Sequence, residues 1–127
     1  MSDIHWLSTP EQHDYPAASS YLALLLSPKE IDDVIARFSK AEITFFKAKD
    51  IFRASKFKAL GLENRHVARD LKKIKNGESL SPILLIRGNL LTNTRLTIAD
   101  GYHRACAAYL LNEDVEVACQ IIGPIDS

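Results

Sequence analysis

The sequence predicts a single domain of the α/β (α+β) class, a small mixed sheet with helices. Three observations lead there. Segments with helical apolar spacing alternate with short β-branched runs. Two strand-like runs, SPILLIRG and RLTIAD, lie close enough to form a hairpin, and a helix and a last apolar run, VEVACQII, follow them. The 127 residues, 46% hydrophobic and 25% charged, are enough to bury a core without staples.

Residues 1–16 lack periodicity and contain Pro10 and Pro16, which predicts an irregular arm, pinned through Trp6. AASSYLALLL predicts an apolar helix stopping before Pro28. Ser27, Pro28 and Glu30 have the form of an N-cap, a first-position proline and an early acid, and Ile31, Val34, Ile35 and Phe38 then share one helical face. AEITFF predicts a short strand at residues 42–46. KAKDIFRASKFKALG predicts a short helix with Asp50 near its start and Gly61 at its stop. In NRHVARDLKKIKNG, Val67, Leu71 and Ile74 form the inner face, basic residues cover the other, and Asn76-Gly77 closes the helix. GNLLTNT supplies a loop between the hairpin strands. Residues 102–111 predict a helix with Cys106, Ala107 and Leu110 inward, closed by Asn112. The expected organisation is an arm and two helices, residues 1–41, packing on or extending a domain of residues 42–127.

No apolar run reaches the length of a membrane span, and the polar, acidic start is unlike a signal peptide. The expectation is a cytoplasmic protein without a membrane partner, with Cys106 and Cys119 reduced and buried. Net charge is zero but uneven: −5 over residues 1–36, +7 over 47–75 and −3 over 76–127. The basic middle is either an electrostatic footprint for a phosphate-bearing partner, nucleic acid included, or a solvated face that offsets the ends. Acidic residues 1–36 covering the basic middle of another copy would make a homodimer.

The densest chemistry lies in IADGYHRACAAYLL, residues 98–111. A strand turns into a helix at Gly101, where free backbone N–H groups and the helix dipole favour anions, phosphates especially. Arg104 in the first turn can fork onto phosphate oxygens, and His103 can donate a hydrogen bond or shuttle a proton. Asp100 could hold a divalent metal that bridges phosphates, or orient His103. On the plainer reading, Asp100 is a helix cap, Tyr102 is packing, and His103 and Arg104 are surface residues.

At these residues the chain resembles the ParB/sulfiredoxin superfamily, whose signature is a strand, Gly-x-x-Arg opening a helix, and a short apolar strand. Gly101 and Arg104 fall on the signature positions of LTIAD-GYHR-ACAAYLLNEDVEVACQII. SPILLIRG matches the preceding strand, and AEITFFKAKDIFRAS resembles the superfamily's first strand and helix more weakly. The chain also looks like short bacterial proteins that share the AKD-x-x-RAS and IADGYHR-x-CA blocks. Sulfiredoxins carry a catalytic cysteine directly after the glycine; Tyr102 stands there, which argues against sulfinic-acid reduction. ParB proteins bind CTP with a Gly-Glu-Arg-Arg turn and add a helix-turn-helix domain, which is not expected in a chain ending soon after its last strand. The Asp-Gly-His-His-Arg turn of free-serine kinases of this fold is the nearest to Asp-Gly-Tyr-His-Arg. The resemblance thus implies a nucleoside phosphate (ATP, ADP or CTP) with Mg²⁺ at Gly101, Tyr102, His103 and Arg104, and phosphoryl transfer or nucleotide hydrolysis involving Asp100 and His103. Arg65 and Arg69, on the neighbouring helix, would approach the phosphates, and Glu30 or Asp50 are candidates for a general base.

The expectation from a different class is a non-enzymatic nucleic-acid or protein interaction module using the basic 47–75 surface. His5 and His13, with Asp3 and Glu11, show no metal-site spacing, and no carboxylate cluster suggests a two-metal nuclease.

Overall fold

Helices α1 (Asp14–Leu22) and α2 (Pro28–Lys40) lead into strand β1 (Ile43–Lys47), then α3 (Ala48–Ser55), α4 (Arg65–Lys75), β2 (Ile83–Ile86), β3 (Thr97–Asp100), α5 (Tyr102–Leu111) and β4 (Glu116–Ile122). The computed structural model describes residues 3–125. The strand order is β1–β4–β2–β3, with β4 parallel to β2 and antiparallel to β1, and β2–β3 an antiparallel hairpin. This is a small α+β domain built on a mixed sheet. No helix among the described residues is long and apolar enough to cross a membrane.

β2 is apolar throughout because both faces of the sheet are covered there. Ile83 and Leu85 join a core with Ile51 of α3, Val67 and Ile74 of α4, and Ala105 and Cys106 of α5. Leu84 and Ile86 face the other way, toward Ala18 and Leu22 of α1 and Val34 and Phe38 of α2. Residues 14–40 are therefore a third layer of one three-layer fold. Gln120, polar and 4% exposed in this second core, is satisfied: it accepts from the Tyr15 hydroxyl (2.8 Å) and donates to the Ala41 carbonyl (3.0 Å).

Local signals set most boundaries. Ser27 and Glu30 form a reciprocal capping box on α2, and the Asn64 side chain accepts from the His66 and Val67 N–H groups to start α4. The arm is pinned beside β2, with Trp6 bridging Leu80 and the Leu7 N–H donating to the Leu80 carbonyl at 2.9 Å. Four expectations are corrected. α1 starts at Asp14 and absorbs Pro16, because a first-turn residue needs no N–H partner; it ends at Leu22, and residues 23–26 turn the chain toward the α2 cap. β1 lies one residue later than expected, at 43–47. α3 stops at Ser55, where Lys56 takes the left-handed conformation (φ 63°), well before Gly61. Leu110 is exposed, because α5 is buried through the small residues Ala105–Ala108, which let it sit close to α4 and the sheet.

If the two N-terminal helices are a layer of one core, residues 42–127 alone will leave Leu84, Ile86, Ala99 and Ile122 uncovered. That fragment should show no cooperative thermal transition by circular dichroism. Phe38→Ala in the full chain should cost about 3–5 kcal/mol, read from urea melts.

Candidate functional site

The chemistry of the β3–α5 junction begins with a register slip. Leu84 lies opposite Asp100 but Leu85 opposite Ile98, so Ala99 is the extra residue of a bulge directly before the turn. Gly101 follows at φ 100°, where a Cβ would lie 2.7 Å from the Cβ of Ile83. Glycine is therefore required by the turn and by close packing on β2. The first helical bond runs from the Ala105 N–H to the Gly101 carbonyl at 3.0 Å, and no side chain caps α5. Asp100 is thus not the helix cap. The first-turn residues Tyr102, His103 and Arg104 line the surface pocket beside it.

Asp100 instead meets Arg104. The Arg104 guanidinium curls back through Nη2 to the Asp100 carboxylate (3.2 Å) and the Pro82 carbonyl (3.3 Å). Its Nη1 lies 3.8 Å from the carboxylate of Asp14, which is only 1% exposed. Asp14 also accepts from the Ser81 hydroxyl and from the Glu11 N–H (2.9 Å). Arg104 Nε is buried without a hydrogen-bond partner among the described residues. The residue expected to fork onto phosphate is therefore first an internal ion-pair partner. Burial raises the Asp100 carboxyl above its ordinary value; Arg104 offsets part of that rise and the charge of Asp14 adds to it.

A polar pocket of about 240 Å³ opens at this turn, lined by Asp100, Gly101, Tyr102, His103 and Arg104. α4 contributes Arg69, Asp70 and Lys73, and the arm contributes Glu11 and His13. The His103 ring stands 4.9 Å from that of His66, centroid to centroid. Burial lowers the His103 pKa, and His66, Arg69 and Arg104 lower it further against the opposing charge of Asp70, so the imidazole is neutral near pH 7. A second, more apolar pocket of about 440 Å³ shares Asp100–His103 and adds Tyr21, Phe57 and Ile98. The Tyr102 ring lies 5.6 Å from Phe57, and its hydroxyl donates to the Lys58 carbonyl.

The structure thus gathers Asp100, Gly101, Tyr102, His103, Arg104 and Arg69 at one pocket. Arg65, one turn earlier on α4, is exposed and outside that lining; Glu30 serves the α2 cap; and Asp50 pairs with Arg53 at 3.5 Å in a different cavity. Asp100 is held by Arg104, and the carboxylate whose charge acts on His103 is that of Asp70. Sequence reasoning missed Asp14, Asp70 and Lys73. For the two acids a signal existed. Asp14 shares a helical stripe with Ala18 and Leu22, and Asp70 lies between Val67 and Ile74 on the apolar face of α4. Asp70 is 5% exposed, and an acid at such a position is rarely buried without a purpose.

Among the described residues no group of three or more His, Cys, Asp or Glu side chains is set to hold a metal ion. Both cysteines are buried: Cys106 accepts from the Leu60 N–H at 3.3 Å, burial raises its thiol, and burial pushes Cys119 up to about 12. No protein-family model, curated protein or solved structure matches the chain.

Two predictions follow from this geometry. Because the Asp100 carboxyl sits above its ordinary 3.8, its neutral form is favoured by folding. Its contribution is full below that value and is lost as pH rises through the raised one. The stability of Asp100→Asn relative to wild type should therefore rise as pH increases above 3.8 in urea melts, and a flat or falling difference would contradict the assignment. Iodoacetamide at pH near 8 should leave both thiols of the native protein unmodified while labelling both in urea, followed by mass spectrometry.

Proposed function

We propose that this is a ParB/sulfiredoxin-like protein that binds a nucleoside di- or triphosphate, with Mg²⁺, across the two pockets that meet at Asp100–His103. The observation that carries this reading is that meeting: a small polar pocket at an uncapped helix start, with Arg69 and Lys73 in its lining, adjoins an aromatic-lined pocket through the same four residues. The smaller pocket suits phosphates, with the α5 N–H groups, Arg69 and Lys73 as donors. The larger suits a base and ribose against Phe57, Tyr21 and Tyr102. Arg104 shapes the pocket while Asp14 and Asp100 hold it, so phosphate neutralisation falls to Arg69 and Lys73.

Mg²⁺, when bound with the nucleotide, would neutralise charge that develops on the phosphates. Asp100, engaged by Arg104, is not free to serve as its protein ligand. Chemistry at this site would be phosphoryl transfer to a hydroxyl or to water. Neutral His103 would take the proton from the attacking oxygen, with the Asp70 carboxylate stabilising the resulting imidazolium. The alternative, a nucleic-acid or protein interaction module on the 47–75 surface, has less support. Lys49 pairs with Asp114 at 2.5 Å and Arg53 with Asp50, so part of that basic excess is offset within the fold.

Calorimetric titration of ATP, CTP and GTP with Mg²⁺ tests the reading. Wild type should bind one of them, and Arg69→Ala and Lys73→Ala should each weaken it about tenfold without lowering the melting temperature. Arg104→Ala should lose binding and stability together. Absence of binding to any nucleotide, with steeply salt-dependent binding to a short duplex DNA, would replace this function with the interaction-module reading.

A further inference from the structure

A different cavity, of about 440 Å³, lies at the other end of β2 from the Gly101 turn, between α3 and the β2–β3 hairpin. Its floor is apolar: Phe46 of β1, Leu85 of β2 and Ile121 of β4 line it on the α3 side of the sheet, with Leu96 beside them. Its walls are tied in place. The Leu96 N–H donates to the Ala54 carbonyl at 3.1 Å, and Asn89 and Thr94 exchange backbone hydrogen bonds at 3.0 and 2.9 Å. Gly88 lets the hairpin backbones close on each other, since a Cβ there would fall 2.6 Å from the Arg95 carbonyl oxygen.

The rim has the opposite character. Arg53, Lys56, Arg87 and Arg95 line it with one acid, Asp50, which lies 3.5 Å from Arg53. Lys56, Arg87 and Arg95 make no ion pair among the described residues, so their charge is available to a ligand. Four cations to one acid is a local excess in a chain whose net charge is zero. Leu90, 95% exposed at the mouth, offers apolar surface that a bound molecule would cover. The volume is that of a small-molecule site, in which an apolar surface supplies burial and a few polar groups fix orientation.

We infer that this cavity is a second ligand site, which takes a small organic anion: one carboxylate, sulfonate or phosphate carried on an apolar body. The apolar body rests on Phe46, Leu85 and Ile121, and the anionic head meets Arg87 and Arg95. The site is independent of the nucleotide reading, because none of these five residues lines the Gly101 pocket or the aromatic pocket beside it.

The test is a fluorescence titration of the full chain with anilinonaphthalene sulfonate, followed by displacement with decanoate. Decyltrimethylammonium, with the same tail and the opposite charge, and acetate, with the charge and no tail, serve as controls. The expected result is saturable one-to-one binding, displaced by decanoate and by neither control at the same concentration. Arg87→Ala combined with Arg95→Ala should weaken it about thirtyfold or more while the melting temperature and any nucleotide binding stay unchanged. Leu85→Asp is avoided because it would unfold the core; Phe46→Leu, which enlarges the floor, should change affinity for the probe in a folded protein. Equal displacement by decanoate and decyltrimethylammonium, or wild-type affinity in the double arginine variant, would overturn the proposal. Displacement by an acidic peptide alone would also overturn it.

Discussion

The Arg104 guanidinium, drawn between the carboxylates of Asp14 and Asp100, is the constraint on which the rest of the functional end depends. Asp14 opens α1, Asp100 ends β3, Arg104 lies in the first turn of α5, and the Pro82 carbonyl leads into β2. One side chain therefore fixes where four segments meet. Such a group contributes little net stability, because desolvating three charges offsets most of their attraction. Breaking it is another matter, since removing one partner leaves buried charge uncompensated, typically at about 3–5 kcal/mol. Its value to the fold is geometric. It holds the bulge at Ala99 and the left-handed turn at Gly101 in one arrangement.

The basic residue that the turn motif emphasises is committed inward, while Arg69 and Lys73 reach the same pocket from α4 without an ion pair among the described residues. The imidazole of His103 is similarly placed by its neighbours, against the His66 ring and beside the charge of Asp70. The turn that the sequence singles out is one wall of a pocket whose other wall is α4.

What the sequence made legible follows from the range over which each signal acts. The N-cap at Ser27 and the bounds of the 102–111 helix rest on interactions within one turn of chain, and they emerge as expected. The hairpin is likewise a local pairing. The ends of α1 and α3 were misread because Pro16 is harmless in a first turn and because Lys56, not a glycine, takes the left-handed stop. Asp14 escaped notice because its partners, Ser81 and Arg104, lie far along the chain. Asp70 was hidden for a simpler reason: a single acid in RHVARDLKKIK looks like one more solvated charge until the burial of its helix face is known.

The strand order carries a consequence for the way the chain reaches this state. β4, the last strand in sequence, occupies an inner position between β1 and β2. β1, made before α3, therefore has no hydrogen-bonding neighbour until β4 has been made. Likewise, the apolar faces of α1 and α2 wait for Leu84, Ile86, Ala99 and Ile122. Until then the helices made earlier lack the strands that cover their apolar faces, and the sheet is complete only when β4 lies between β1 and β2. The order of strands thus makes β1 wait for β4, and it leaves apolar surface uncovered on the incomplete chain, the form in which such surface favours aggregation.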